Sequence, residues 1–291
     1  MADLAIVHHR MRMRSIASAL ALCGLLGCGG AAGELLDPAD PTTAASAGAP
    51  EPAVAPEPIA AIHAGEKMRF DVRVAGVLAG EASFATVEVG QRGPTLTAVL
   101  SSSIRSAGAL ALVKDVRDEA TTVLDAEALV PLSTTSSVRA NPRDYTAETT
   151  FADRKAAIDF RPAKGPAEHI VYDFGDQAAH DAHSAMATLR VWQVAPGTTR
   201  TMWVLGGRRI WKVELTMGAT EVIGTYLGNQ QAVRIDGLAT RAHANLTIDP
   251  RRPPRTFSVW LSDDADRVPF RVVAGTELGD VTIELVDFVR P

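Results

Sequence analysis

The chain has 291 residues and a mass of 30.8 kDa; it is 46% hydrophobic, 22% charged and 5% aromatic, with a formal charge of −5. That hydrophobic fraction is enough for a core and excludes global disorder, and the length allows one or two domains. The acidic balance gives no reason to expect nucleic acid as a partner.

Arg10, Arg12 and Arg14 form a basic start, followed by an uncharged run from Ser15 to Leu26. At this length the run is too short to span a bilayer and suits the apolar region of a secretory signal. Leu25-Leu26-Gly27-Cys28 follows and resembles the bacterial lipobox, in which the Cys is lipidated on its thiol and becomes the first residue after cleavage. The expectation is a signal peptide over 1–27, with translation starting at Met1, Met11 or Met13. A plain secretory signal and a retained helix are the alternatives. Cleavage takes Cys23 and lipidation takes Cys28, so no thiol is left for a disulfide, a nucleophile or a soft metal site. The loss of three Arg and one Asp moves the formal charge from −5 to −7. The expected address is the bacterial cell envelope, anchored to membrane at Cys28. Gly29 and Gly30 stand where an Asp would favour the inner membrane, which points to the outer membrane, facing the periplasm.

Residues 29–64 hold 12 Ala and 6 Pro and no Lys or Arg. Pro interrupts helix and sheet, and little here can form a core. With the lipidated Cys, 28–64 is expected to be a tether, spanning roughly 35 Å as a flexible coil.

The rest, 65–291, reads as a single β-rich domain. Met68, Phe70, Val72 and Val74 alternate with polar residues. Gly76 and Gly80 bracket a turn, and Glu81 to Val89 returns with a phase slip between Phe84 and Val87 that predicts a bulge. Leu96, Ala98 and Leu100 alternate, as do Tyr145, Ala147, Thr149 and Phe151, and then Ile170, Tyr172 and Phe174. Two runs flank Gly206-Gly207, a hairpin signal that puts Trp211, Val213, Leu215 and Met217 on one face. Phe257, Val259 and Leu261 lead through Asp263-Asp264-Ala265-Asp266 into Val268 to Ala274, and Val281, Ile283 and Leu285 mark a last strand. Between Gln177 and Val194, free of Gly and Pro, Ala182, Ala185, Met186, Leu189 and Trp192 recur at helical spacing. Asp176 stands as N-cap and Pro196-Gly197 as the stop. The predicted fold is mainly β: an antiparallel meander forming a strongly curved sheet or open barrel, with one amphipathic helix on its concave face.

Four stretches in this order resemble a bacterial family of exported proteins, domain-of-unknown-function family 3108. They are GEKMRFDVRVAGVLAGEASF from Gly65, VRDEATTVLDAEALVPL from Val116, DAHSAMATLR from Asp181 and FSVWLSDDADRVPFRV from Phe257. The resemblance spans residues 65 to about 288. It implies a periplasmic or surface β-rich domain and carries no catalytic residues.

The densest polar cluster is Asp173, Asp176, His180, Asp181 and His183. His180, His183 and Asp176 could offer nitrogen and oxygen ligands to a divalent ion; the competing reading is a solvated helix start whose acids suit the helix dipole. Asp263, Asp264 and Asp266 lack EF-hand spacing and read as a turn. A serine-hydrolase elbow is absent. The candidate ligand groove is Met186, Leu189, Arg190, Trp192, Trp203 and Trp211, because a curved sheet with an apolar concave face can hold greasy ligands; core packing is the competing reading for the Trp residues.

No cofactor is expected. The leading expectation is a non-enzymatic lipoprotein that binds or chaperones an apolar or amphiphilic envelope component. The alternative is a scaffold or assembly factor that binds another envelope protein through a sheet edge, and a metal-dependent enzyme comes third. Replacing Cys28→Ser should abolish processing at this site and labelling by palmitate; a labelled, membrane-bound variant would overturn the lipobox reading.

Overall fold

In a computed structural model of the chain, the described residues are 62–112, 114–140, 142, 144–276 and 279–291. The signal, Cys28 and all but the last three residues of 28–64 lie outside them.

The alternating runs fold as strands: β1 (Lys67–Val74), β2 (Val77–Arg92), β3 (Thr95–Ser106), β4 (Arg117–Asp125), β5 (Val130–Arg139), β6 (Tyr145–Ala152), β7 (Lys155–Pro162) and β8 (Glu168–Asp173). The series continues with β9 (Ala179–His180), β10 (Thr199–Gly206), β11 (Arg209–Thr225), β12 (Gly228–Ala242), β13 (Arg255–Ser262), β14 (Pro269–Thr276) and β15 (Gly279–Val289). A single turn of helix, α1 (Gly108–Ala111), follows β3, and the main helix is α2 (Ala182–Val191). In β6 the inward positions Tyr145, Ala147, Thr149 and Phe151 are buried and the intervening ones exposed, the period of two that a half-buried strand requires. The bulge predicted in β2 falls between Thr86 and Glu88, leaving Val87 unpaired and 60% exposed.

All fifteen strands lie in one sheet, in the order β8-β7-β6-β5-β4-β3-β2-β1-β15-β14-β13-β12-β11-β10-β9. The chain starts at the centre, runs outward to β8, crosses to β9 at the other edge, and returns to place β15 beside β1. The pairings are antiparallel except β9 with β10. Ala75 and Gly76, both at positive φ (47° and 82°), make the two-residue turn that matches the twist of β1 and β2. At Gly237 of β12, the ring of its cross-strand partner Phe257 occupies the space a Cβ would need.

Backbone pairing does not close the sheet; its ends overlap. Met202 and Val204 of β10 face the largest apolar cluster, whereas Trp203 and Leu205 face a second one, built with Val138, Tyr145, Phe151, Ile158 and Phe160 from β5–β7. The β10 end therefore has apolar neighbours on both faces, as in a rolled scroll. Side chains tie the overlap: Tyr172 Oη donates to the Arg208 carbonyl (2.9 Å), and Arg208 pairs with Glu168 (2.7 and 2.8 Å) over the Phe160 ring.

Helix α2 lies in the concavity. Ala182, Met186, Leu189 and Trp192 are buried as expected, and Ala185 is half-buried. Two expectations need correction. The helix begins at Ala182 with Asp181 as its cap, not at Gln177 behind Asp176, because Ala179 and His180 are drawn into a parallel pairing with Trp203 and Val204. The opposite helix face is not solvated: His183, Ser184, Ala187, Thr188 and Arg190 are buried too, since the curved sheet surrounds the helix. Ala187 packs with Ile62, Ala98, Leu100 and Leu124. Ile62, within the segment assigned to the tether, is thus part of the packed core.

Leu189→Ala should destabilise the protein by about 2–5 kcal/mol through lost transfer energy and a residual cavity. Urea denaturation measures this; a negligible loss would mean that α2 is a detachable lid.

Candidate functional site

Two groups of buried polar side chains stand at the ends of α2. At the amino end, Asp181 and Ser184 form a capping box: Ser184 N donates to Asp181 Oδ1 (2.8 Å), and Asp181 N donates to Ser184 Oγ (3.0 Å). Thr122 of β4 and Thr134 of β5 are cross-strand partners, so their hydroxyls project side by side toward the helix. Both donate to Asp181 Oδ2, Thr134 at 2.7 Å.

This fixes the protons of the next link. A hydroxyl that has given its proton to Asp181 can only accept from the imidazole, so His183 Nδ1 donates to Thr122 Oγ1 (2.8 Å). His183 Nε2 then accepts from Ser102 Oγ (2.8 Å). Burial pushes His183 below its ordinary pKa and keeps it neutral, against the pull of Asp181. Burial alone would raise Asp181, but the hydroxyls of Thr122 and Thr134 and the Ser184 amide, all donating to its oxygens, hold its carboxyl below the usual range.

The order Ser102, His183, Thr122, Asp181 has the elements of a nucleophilic array, but Thr122 stands between imidazole and carboxylate, and His183 is 1% exposed. The adjoining spaces are small: one of about 30 Å³ beside Thr134, Ser136, Thr149 and Asp181, and an apolar one of about 40 Å³ beside Ser102, Phe84 and Met186. Neither takes a substrate larger than a water or two. This network locks the helix in place.

At the carboxyl end, Arg190 makes a two-pronged ion pair with Glu66 (2.7 Å on each prong), and both side chains are essentially sealed from solvent. The remaining donors reach the Asp266 carbonyl, Nε at 3.1 Å and one terminal nitrogen at 2.9 Å. Asp266 also pairs with His63 (3.3 Å) and Arg290. Its turn is built by Asp264 Oδ1, which accepts from Asp266 N, Arg267 N and Ser262 Oγ, the ordinary Asp-turn reading for this segment.

The structure does not bring the metal candidates together. Asp176 is solvent-exposed and pairs with Arg154 (3.2 Å), and both ring nitrogens of His183 are taken by hydroxyls. His180 is buried with no partner for Nδ1, and its pKa is pushed down to about 4 by burial and by Arg200 against Asp181. Among the described residues no three His, Cys, Asp or Glu side chains converge as a metal site.

The candidate groove also divides. Met186, Leu189 and Trp192 pack in the main core, and Arg190 is consumed by Glu66. Trp211 lies opposite Val204, and Trp203 opposite Lys212, so alternation puts the two Trp on opposite faces of the sheet. A larger space lies outside, about 520 Å³ over β1–β4 and β15, bordered by Arg69, Asp71, Glu81, Arg105 and Glu119, with ion pairs Arg105–Glu81 and Arg69–Asp287 beside it.

Glu66, Ser102, Thr122 and Thr134 were not singled out from the sequence. One signal was available for the ion pair: Arg190 is the single charge on an otherwise apolar last turn of the helix, and such a charge needs a buried partner. The hydroxyls carry no local signal, because Thr and Ser alternate freely in exposed strands.

A beta-barrel-like protein of domain-of-unknown-function family 1849 from Brucella abortus aligns over 77% of this chain and 97% of its own, at 9% identity and a TM-score of 0.49. A Bacteroides fragilis protein described as exported, with a YmcC-like fold, aligns over 79% and 98% at 8% identity and 0.38. A Parabacteroides distasonis protein described as a lipoprotein aligns over 79% and 97% at 8% identity and 0.32. These TM-scores lie below 0.5, so the fold rests on the strand order itself. Comparison with the curated proteins finds no match.

Replacing Glu66→Leu alone should cost about 3–5 kcal/mol by stranding the Arg190 charge, and Glu66→Leu with Arg190→Leu should recover most of it. Equal losses for the single and double variants in chemical denaturation would mean that the charges do not act as a pair.

The model of the protein of unknown function DUF3108 matches residues 69–286, three quarters of the chain and nearly the whole sheet, and the chain belongs to that family.

Proposed function

We propose that the chain is a non-enzymatic envelope lipoprotein that works as a scaffold, engaging a partner protein on the outside of a filled, rigid head. The observation that carries this is the filled interior. A lipid or other drug-sized apolar ligand needs a space of several hundred cubic ångströms. The apolar space beside α2 measures about 40 Å³. This disfavours carriage of an apolar component and favours the second of the two expectations.

The polar network inside the head supports the non-enzymatic reading, because its donors and acceptors are spent on one another. The envelope address rests on the Arg10–Cys28 signal features, and the 28–64 segment supplies the tether.

The sheet has two edges of unequal length. β9 offers two residues, while β8 offers six with a neighbour on one side only. On the outward face of β8, Val171 is 53% exposed between His169 and Asp173. An extended segment of a partner could add there as a further strand, with backbone hydrogen bonds giving affinity and Val171 giving an apolar contact.

The test is a photo-crosslinking amino acid placed at Val171 in the full-length chain in its native host, with the same probe at Val222 as control. The expected result is a discrete protein adduct from Val171 and none from Val222. Equal adducts from both sites would overturn the edge assignment, and a stoichiometric lipid extracted from the purified protein would restore the carrier reading.

A further inference from the structure

The outward edge of β8 complements itself. Phe174 N donates to the Arg154 carbonyl (3.0 Å), and Asp173 lies opposite Lys155. Antiparallel alternation then directs the backbone groups of Glu168, Ile170 and Tyr172 toward β7, and those of His169, Val171 and Asp173 out of the sheet. Among the described strands β8 has β7 as its one neighbour. The side chains of His169, Val171 and Asp173 are also the exposed ones of the strand, whereas Glu168, Ile170 and Tyr172 are half-buried. One set of three residues therefore decides what the edge can accept.

A second copy turned about a two-fold axis normal to the sheet would bring β8 against β8, antiparallel. Facing residues must then lie on the same face of the pleat, so their numbers differ by an even count. The register centred on Val171 sets Val171 against Val171 and, twice by symmetry, His169 against the second copy's Asp173. Within one chain Asp159 already pairs with His169 (2.9 Å) and Lys155 with Asp173 (3.5 Å). Each outer row across four strands would read Asp159, His169, Asp173, Lys155, with no like charges adjacent. The central row would read Ala157, Val171, Val171, Ala157. A register shifted by two residues sets His169 or Asp173 against Val171 instead and breaks both rows.

We infer that β8 joins the β8 of a second copy of this chain, in the register centred on Val171, so that one sheet runs through two molecules. The inference rests on the partner edge proposed above and names its occupant. Charges on an edge strand ordinarily block the addition of another strand. Here each charge finds its opposite in the same strand reversed, a match that an arbitrary extended segment does not supply. Each of the three facing pairs exchanges two backbone hydrogen bonds, and the two His169–Asp173 pairs fix the register. The interface is isologous and closes at two copies, since each chain spends its β8 edge on the other.

The experiment places single cysteines in the full-length chain in its native host and joins them with a short bifunctional thiol reagent. The parent chain, with Cys23 and Cys28 alone, gives the background. Val171→Cys should give an adduct of twice the chain's mass, because the Cα atoms of such a facing pair lie about 5.5 Å apart. His169→Cys alone should give none, since the two copies of position 169 lie about 14 Å apart along the strands. Coexpressed with Asp173→Cys, it should give the adduct. In the Val171→Cys chain, His169→Asp or Asp173→Lys should lower the yield at least about fivefold, and coexpressing the two should restore it to within about twofold. Thermal melts establish that each variant is folded. Absence of the Val171→Cys adduct, an equal yield from His169→Cys alone or from Val222→Cys, or charge variants without effect would overturn the pairing. If the photoprobe at Val171 then captures a different protein, the edge reading stands and the second copy falls; if neither probe captures a protein, both fall.

Discussion

A single curved sheet has one apolar concave face and no second sheet to cover it, and the rest of this molecule follows from how that face is covered. A ten-residue helix does it. A helix of that length has little stability of its own, so it must be held, and the means are unusual for an apolar interior: a buried carboxylate at one end and a buried guanidinium at the other. Asp181 sits at the positive end of the helix dipole and Arg190 near the negative end, so both charges also suit the helix that carries them. Because each has fixed partners on particular strands, Thr122 and Thr134 for Asp181 and Glu66 for Arg190, the helix has one register in the concavity. Apolar packing by Met186, Leu189 and Trp192 alone would tolerate sliding by a turn.

The stretches that carry the family resemblance acquire a physical meaning at these two ends. Gly65-Glu66 opens the first, and Glu66 is the partner of Arg190, which closes the helical stretch. Thr122 lies in the middle stretch and binds Asp181, which begins the helical one. Asp264 and Asp266 belong to the closing hairpin, and Asp266 offers its carbonyl to Arg190. Segments distant in sequence thus meet around one helix. Together they specify one fold around α2.

Most of the strands were legible because period-two alternation is a local property: β6 and β13 read directly, and even the slip near Val87 could be placed. The helix was legible in kind but not in extent. Residues 177–181 have helical composition, yet Ala179 and His180 gain more from pairing with β10, a contact no local pattern announces. His183 shows the limit most clearly. On the helical wheel it falls on the polar side, and only the closure of the sheet around the helix makes that side an interior. The Trp pair failed for a related reason: the Gly206-Gly207 hairpin was visible, but one position of register decides whether Trp203 and Trp211 share a face or oppose each other.

The place of β1 in the strand order has a mechanical consequence. A load applied at Ile62 would enter the sheet through its first strand. Here that strand is not at an edge, where it could be peeled off one ladder rung by rung, but at the middle of the fifteen, paired with β2 on one side and β15 on the other. Force entering at Ile62 is shared by two ladders and by the Glu66–Arg190 pair immediately behind them. The free edges belong to β8 and β9, in the interior of the sequence, where no load arrives. The sheet would therefore resist most where such a load enters, and tension applied at Ile62 would loosen the overlap of the scroll last.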